Sequence, residues 1–355
     1  MAAKITHIEI YRQSLVRLEH GNDADQMLAS TLEQDDLFRY GCFGAVAPDI
    51  FYFYHLFSHR KHQIGMQWAN RIHHHRVIEV VISFLDRIRR DTNEKRKHKR
   101  LAFALGYLSH CAADIVTHPY IFYITGNYYS ADEKEAARAQ ENHLRVENIL
   151  DSYLVFERWG ISADSYNFLK YVLVSGRQGK RKILDFDIWQ MWANALSVVY
   201  PDEFADHYPG SLNIIQKDDL INDAYRGFLR FNRIVDNRSV TIRGLLRTID
   251  AVTFRKLKAR NLILPPRHMI DSRYPNTDHK EWRYPAEPNR TSTESFNELA
   301  HKAAELSAQW MRLARDYVDG KKSLKDFDPL IGYNLDTGTI TDSTGMFVFE
   351  PIPDI

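Results

Sequence analysis

The segment that most constrains this chain covers residues 101–119, LAFALGYLSHCAADIVTHP, which is apolar enough for a buried helix yet carries ionisable groups. His110, Asp114 and His118 follow one another at intervals of four residues. A helix turns by about 100° per residue, so the three side chains project from one flank. Burying a carboxylate beside two imidazoles costs several kcal/mol without compensation, and Asp oxygen and His nitrogen are both zinc ligands. A single histidine here would indicate a hydrogen-bonded core residue, but the collinear set predicts a metal site.

A second segment repeats this pattern further along the chain. The sequence HLRVENILDSYLVF places His143, Glu147 and Asp151 at the same spacing, and Leu150 and Leu154 indicate a buried neighbouring face. Two helices that each present a histidine and an acid four residues apart are typical of metal sites in helical bundles. The sequence therefore predicts a metal site between these two helices.

Composition and charge exclude several classes of protein. The chain has 355 residues, 44% of them hydrophobic, and a formal net charge of +1, so no field of the whole molecule attracts nucleic acid or an anionic membrane. Cys42 and Cys111 are too few for a disulfide framework and are predicted to be small buried residues rather than ligands. There is no secretory signal and no run of eighteen apolar residues. These features predict a cytoplasmic protein without a transmembrane segment.

Apolar periodicity predicts a largely helical chain. The central helix is expected to end at Pro119, directly after His118. Residues 87–100, RIRRDTNEKRKHKR, are predicted to form a solvated basic connector, with a contact to anionic phosphates as the alternative. Further helices are predicted over residues 4–19, 23–39, 185–200, 218–235, 241–260 and 294–319.

The remaining C-terminal segments carry loop and turn signals. Residues 262–293 contain five prolines and are predicted to be irregular. The helix at 294–319 is expected to be capped by Thr293 or Ser292, and the tail after residue 325 to form a small hairpin or an extended arm.

The ordered set of ligand-type residues resembles the zinc-dependent phospholipase C family, whose fold is shared by single-strand-specific nucleases. The family pattern is a His near the N-terminus, an Asp before an aromatic run, another His, an HxxxD helix with a further His, and then HxxxE. The resemblance covers roughly residues 1–155 and implies an all-α multi-helix bundle with a zinc cluster at the bottom of a cleft. We expect this core to occupy residues 1–180 and a mostly helical C-terminal extension, residues 181–355, to pack on it. The matching residues are His7, Asp49 in GAVAPDIF, one of His73, His74 and His75, His110, Asp114, His118, His143 and Glu147.

The resemblance also implies roles for these residues. One zinc ion would be held by Asp49, His73, His110 and Asp114, a second by His118, His143 and Glu147, and a third would share Asp114 with His7. Secreted members complete the third site with an N-terminus released by signal cleavage, and this sequence shows no such signal, so two or three ions are expected. His73 is favoured within its triplet, with His74 next, because Ile72 and Val77 flank a helix entry. Asp49 would also serve as general base, and its alternative role is a helix cap.

The function implied is hydrolysis of a phosphodiester by zinc-activated water, with a phospholipid as substrate and a peripheral membrane contact. The aromatic side chains of residues 51–54 would either line the cleft or pack in the core. Two alternatives stay open. One is a single-strand nuclease on the same fold, which could use the basic KRKHKR run, and the other is a non-catalytic binding protein stabilised by metal.

Overall fold

The structure is a computed structural model and describes residues 4–208, 210–253, 258–341 and 343–353. It is an all-α fold with three small two-stranded hairpins, which confirms the predicted fold class. The helices are α1 (Lys4–Glu19), α2 (Asp23–Leu32), α3 (Asp35–Gly44), α4 (His59–His74), α5 (Val77–Arg89), α6 (Glu94–Thr125), α7 (Glu133–Trp159), α8 (Leu169–Val172), α9 (Phe186–Val199), α10 (Pro201–Ala205), α11 (Leu220–Ile234), α12 (Val240–Val252) and α13 (Phe296–Val318).

The strands pair as antiparallel hairpins, and short 3-10 helices connect several of the longer elements. The hairpins are β1 (Ser175–Gln178) with β2 (Arg181–Leu184), β3 (Trp282–Tyr284) with β4 (Glu287–Ser292), and β5 (Tyr333–Asn334) with β6 (Thr339–Ile340). The 3-10 helices are Pro48–Phe53, Ala163–Ser165, Ala259–Leu262, Arg267–Met269 and Leu324–Leu330.

Helix α6 is the central element of the fold. Nearly all of its side chains from Ala102 to Thr125 are buried, because α3, α5, α7 and α13 surround it. A helix that is apolar around its whole circumference belongs in the core, as its sequence predicted. Helices α3 and α6 pack with their backbones in direct contact. A methyl group on Gly106 would collide with the Gly41 carbonyl, and one on Gly44 with the Phe103 carbonyl.

The predicted end of the central helix at Pro119 is wrong. Helix α6 continues to Thr125, although Pro119 lacks the amide that would bond the Ile115 carbonyl. A proline inside a helix costs about 3 kcal/mol or more. Here the next turn buries a run of large apolar and aromatic side chains, and this burial outweighs that cost. Gly338 packs directly over the Ile115 carbonyl and Pro119, so tertiary contacts hold the turn in place.

Several other boundaries also differ from the sequence prediction. The single helix expected at 23–39 is two helices, α2 and α3. The basic run is not a loop, because α6 begins at Glu94 with Asn93 as its cap. Residues 262–293 include the β3–β4 hairpin, and α13 is capped by Ser295 in a capping box with Glu298 rather than by Thr293 or Ser292. Part of the helix predicted at 241–260, residues 254–257, lies outside the described residues.

The C-terminal half packs against the helices that carry the predicted ligands. Helix α13 lies along α6 and α1, and the β5–β6 hairpin, which the tail was predicted to form, contacts α4 and α5. The division into a core and an extension near residue 180 stays a prediction. None of the described helices has the length and apolar character that crossing a bilayer requires.

Candidate metal centre

The ligand row on α6 lies on one buried flank of the helix, as its spacing predicted. His110 is 0% exposed, Asp114 1% and His118 8%. Five further residues converge on this row from four other elements, and all of them are buried. They are His7 of α1, Asp49 of the 3-10 helix Pro48–Phe53, His73 at the end of α4, and His143 and Glu147 of α7.

These eight residues form three groups, two of which share a residue. In each group the candidate ligand atoms lie within 4.8 Å of one another, which is the spacing that a shared ion requires. His110 is common to two of the groups, and its Nε2 lies 2.9 Å from Asp114 Oδ2. The groups are His7, His110 and Asp114; Asp49, His73 and His110; and His118, His143 and Glu147.

Backbone carbonyls orient two of the imidazole rings. His73 Nδ1 donates to Ala69 O at 2.7 Å, and His110 Nδ1 donates to Ala45 O at 3.0 Å. A carbonyl oxygen only accepts, so each neutral ring keeps its proton on Nδ1 and its lone pair on Nε2. The two Nε2 atoms lie 3.4 Å apart, and His73 Nε2 is 3.3 Å from Asp49 Oδ1. Rings whose Nδ1 donates to a backbone carbonyl and whose Nε2 faces a carboxylate are typical of histidines that bind a cation.

Asp114 is placed to bridge ions. One of its oxygens, Oδ1, lies 3.4 Å from His7 Nε2 and 3.3 Å from His118 Nε2, while Oδ2 lies 2.9 Å from His110 Nε2. Neither oxygen meets a hydrogen-bonding geometry among the described residues, and Asp49 Oδ2 has no hydrogen-bond partner there either. Buried carboxylate oxygens without partners are costly, and cations at their common focus would satisfy them. The residues present therefore fit a zinc cluster.

The third group lies under an aromatic wall. His143 Nε2 is 3.2 Å from Glu147 Oε1, and the His143 ring packs 4.8 Å from Phe122 and 5.5 Å from Tyr128. His118 packs 5.7 Å from His143. The rings limit the access of water to this end of the cluster, which strengthens the attraction between the ligands and a cation.

The protonation states suit metal binding at His7, Asp49 and Asp114, but not at His118. Burial and the neighbouring His110 lower the pKa of His7 to about 4, so this ring is neutral at pH 7 and has a lone pair for a cation. Burial opposes ionisation of Asp49 and Asp114, but the surrounding histidines, His110 foremost, hold both carboxyl pKa values below their usual range. Burial also lowers the pKa of His118, yet Asp114 and Asp336 outweigh it and raise that pKa to about 9. A proton therefore competes with a metal ion at His118.

Sequence reasoning missed Asp336, which enters the site from the turn between β5 and β6. The residue is buried, its Oδ1 lies 3.2 Å from His118 Nδ1, and its Oδ2 accepts from His74 Nε2 at 2.7 Å. Tyr129 donates its hydroxyl hydrogen to the same oxygen. The DTGT turn carried the only sequence signal, and nothing local linked it to a histidine more than two hundred residues earlier.

Two other predicted features have structural roles. Asp151 continues the row on α7, but it accepts from the backbone amides of Ile5 and Thr6 and so holds the first turn of α1, which carries His7. Two residues of the aromatic run have different roles, one in the core and one at a cavity wall. Phe51 packs against Trp68 and Trp192 in the core, whereas Phe53 lines a cavity that reaches Asp49.

The cavity beside Asp49 is mainly apolar. Asp49 is not a helix cap, because its side chain turns towards His73 and His7. Lys4 and Asn148 provide the other polar groups of the wall. The apolar wall is formed by Val46, Phe53, Leu144, Phe228, Phe231, Val235 and Leu262.

A family model described as zinc dependent phospholipase C matches residues 6–201, more than half of the chain. The chain belongs to the zinc-dependent phospholipase C family. A search of curated proteins and a search of solved structures each found no significant match. The family implies a hydrolase that acts on phosphodiester bonds, and the phospholipase C match implies a phospholipid substrate. All eight predicted ligands fall inside the matched region, whereas Asp336 lies well beyond it.

Proposed function

We propose that this member of the zinc-dependent phospholipase C family hydrolyses phospholipids at the cluster centred on Asp114. His7, Asp49, His73, His110, Asp114, His118, His143 and Glu147 would hold the zinc ions. The observation that carries the proposal is the convergence of these buried side chains, from five elements, on oxygens of Asp49 and Asp114 that have no hydrogen-bond partner among the described residues. The two groups that share His110 support neighbouring ions, of which there would be two or three.

Bound zinc would supply positive charge for the oxygens of the phosphodiester and would lower the pKa of water towards about 7. The protein would provide the base and the orientation. Asp49 is ionised, its Oδ2 has no hydrogen-bond partner among the described residues, and it borders the cavity. It is therefore positioned to accept a proton from the attacking water as general base.

The apolar cavity wall favours a lipid over a nucleic acid. A nuclease needs stacking platforms within a basic groove. The basic run near the start of α6 does not supply that groove, because Arg96 and Arg100 are bound to Asp91 and Lys99 is bound to Asp187. Lys95 also lies fifteen residues before His110, about 22 Å along the helix.

Metal analysis combined with hydrolysis assays would test the function. The purified protein is expected to contain zinc and to hydrolyse a chromogenic phosphocholine ester, while single-stranded DNA stays intact. Cleavage of the DNA without cleavage of the ester would favour the nuclease alternative. Zinc-loaded protein that turns over neither substrate would favour the non-catalytic binding protein.

A further inference from the structure

Large apolar side chains are exposed beside basic ones at the rim of the Asp49 cavity. Phe57, in the loop before α4, is 91% exposed, and Ile234, at the end of α11, is 53% exposed. Both line a surface groove together with Arg226 and Arg230. Single exposed apolar residues are common on proteins, but an aromatic side chain this exposed beside a second apolar residue and two arginines forms a patch. We refer to Phe57, Ile234, Arg226 and Arg230 as the rim patch.

The rim patch is continuous with the cavity that reaches the metal centre. Phe53 and Phe231 line both the groove and the cavity, and their rings lie 5.2 Å apart. On the other side, α12 packs against the 3-10 helix Ala259–Leu262, and Leu262 lines the cavity. A molecule that rests on the rim patch therefore lies next to the cavity that reaches Asp49.

Helix α12 extends the apolar character of this region. Val240, Leu245 and Val252 are all more than half exposed, and the one acidic residue of the helix, Asp250, is buried. The outward side of α12 consequently presents apolar and small polar side chains, together with Arg247, and no carboxylate. A helix face with exposed apolar side chains, an arginine and no carboxylate is typical of a helix that lies at a membrane surface.

The charge of this region differs sharply from that of the whole chain. Residues 226–267 contain eleven Lys or Arg residues and only two Asp or Glu residues, although the whole chain has a net charge of +1. The side chains of Arg230, Arg233 and Arg247 are exposed and have no acidic partner within 4 Å among the described residues, while Arg226 lies 3.4 Å from Asp223. The free arginines leave a local positive field that complements an anionic surface.

We propose that the rim patch and the outward face of α12 dock on the surface of a phospholipid bilayer that contains anionic lipids. Phe57 and Ile234 would enter the interface, and the arginines would bind lipid phosphates. A lipid could then pass from the bilayer along Phe53 and Phe231 towards Asp49 without crossing water. Membrane docking rests on the proposed function for the identity of the substrate, but docking itself needs no turnover.

Co-sedimentation of the full-length protein with vesicles would test this surface. Binding to vesicles of phosphatidylcholine and phosphatidylglycerol is expected to exceed binding to pure phosphatidylcholine vesicles by at least about tenfold. The double variant F57S/I234S is expected to bind at least about tenfold more weakly, because it loses the apolar groups that enter the interface. R230Q and R233Q are each expected to weaken binding about fivefold, and less so in high salt.

Residues near the N-terminal end of α6 provide matched control variants. Val198 is an exposed apolar residue beside Arg87 and Arg96, and Lys95 is an exposed basic residue of the same region. V198S and K95Q are expected to bind vesicles like the unaltered protein. Docking at the rim would be overturned if the unaltered protein did not bind anionic vesicles or if F57S/I234S bound them normally. It would also be overturned if the control substitutions weakened binding as much as F57S/I234S.

The docking test and the test of function can fail separately. Vesicle binding is measured without turnover, so protein that binds anionic vesicles through the rim and hydrolyses no phosphodiester would contradict only the proposed function. Protein that cleaves the soluble phosphocholine ester but does not bind vesicles would contradict only the docking surface. The ratio of vesicle to soluble ester hydrolysis is expected to fall in F57S/I234S and to stay constant in V198S.

Discussion

Asp114 gathers more of the candidate ligands than any other residue of the cluster. Three histidines, from α1 and from both directions along α6, lie within 3.4 Å of its oxygens. Its position halfway between His110 and His118 follows from helical spacing alone, but its partner His7 comes from α1, far earlier in the chain. Asp114 therefore combines a local sequence pattern, the spacing along α6, with a contact to His7 that arises only when the helices pack.

Replacing Asp114 by Asn is expected to remove zinc and hydrolysis together, because a neutral amide cannot bridge two cations. Metal content by atomic emission and ester hydrolysis measure the two effects. Asp219→Asn is the matched control, since Asp219 is also a buried carboxylate but lies at the start of α11, and it should keep its zinc. An unchanged zinc stoichiometry in D114N would rule out the bridging role.

Asp336→Ala is expected to lower zinc affinity about 10- to 100-fold, because His118 loses the carboxylate beside its Nδ1. Asp336→Asn should recover part of this affinity, since an amide oxygen can still accept from the ring. Competition with a chelating dye measures the affinity, and Asp326→Asn, at an exposed carboxylate of the same tail, serves as the control. Equal affinities in D336A and the unaltered protein would show that Asp336 does not position His118.

At the scale of elements, the contact between α3 and α6 sets the geometry of the site. The two helices meet backbone to backbone at glycines, and this brings Ala45, just after α3, within hydrogen-bonding distance of the His110 ring. A residue with a side chain at this crossing would move the carbonyl that orients His110. Packing of one helix pair thus determines which nitrogen of a ligand faces the cluster.

Gly106→Ala is expected to lower the free energy of unfolding by about 1–3 kcal/mol or more, because the new methyl group collides with the Gly41 carbonyl. Gly244→Ala in α12 is the matched control, since no atom lies within 4 Å of its methyl position. That variant should gain about 0.5–1 kcal/mol from helix propensity. Urea unfolding measures both changes, and a G106A protein as stable as the parent would contradict the close approach.

The cap of α11 gives a prediction for pH. Burial raises the pKa of Asp219 to about 6, although the Asn222 amide and the Trp189 indole donate to it. The native state then binds the proton more tightly than the unfolded chain, whose pKa is near 3.8. The contribution of this group to stability is therefore greatest below about pH 4 and is lost as the pH rises to about 6.

Asp219→Asn is expected to remove this dependence, because the amide stays neutral and its oxygen can still accept from Trp189. The difference in unfolding free energy between variant and parent should change by up to about 3 kcal/mol between pH 4 and pH 7, in favour of the variant at pH 7. Urea titrations at the two pH values measure it. A constant difference would show that Asp219 titrates normally in the folded protein.

For the whole molecule, the cluster is a junction between elements that are distant in sequence. Ions bound there would tie together α1, the 3-10 helix Pro48–Phe53, α4, α6 and α7, and Asp336 adds the tail. Ligand binding to the native state alone raises stability by mass action, by about 2.7 kcal/mol for each site at a hundredfold excess over its dissociation constant. The candidate metal centre is thus expected to stabilise the fold as well as to act on substrate.

Removal of zinc with a chelator is expected to lower the melting temperature by several degrees, and added zinc should restore it. Differential scanning calorimetry measures the shift. D114N should melt at one temperature with and without the chelator, because it has no bridged cluster to lose. If the melting temperature of the unaltered protein did not change on chelation, a stabilising metal centre would be contradicted.

The sequence by itself determined the helical class, the buried character of α6, and the grouping of ligands along α6 and α7, because these depend on a period of 3.6 residues that is local to each segment. The likeness to the family pattern added His7, Asp49 and His73, which the structure brings to the same row. Their service as zinc ligands stays a prediction. Tertiary structure alone decided that α6 continues through Pro119, that Asp336 reaches His118, and that Phe57 and Ile234 line a groove that adjoins the cavity reaching Asp49. Those features depend on contacts between segments that are distant in the sequence. The free energy gained by burying apolar surface in such contacts outweighs local preferences of a few kcal/mol.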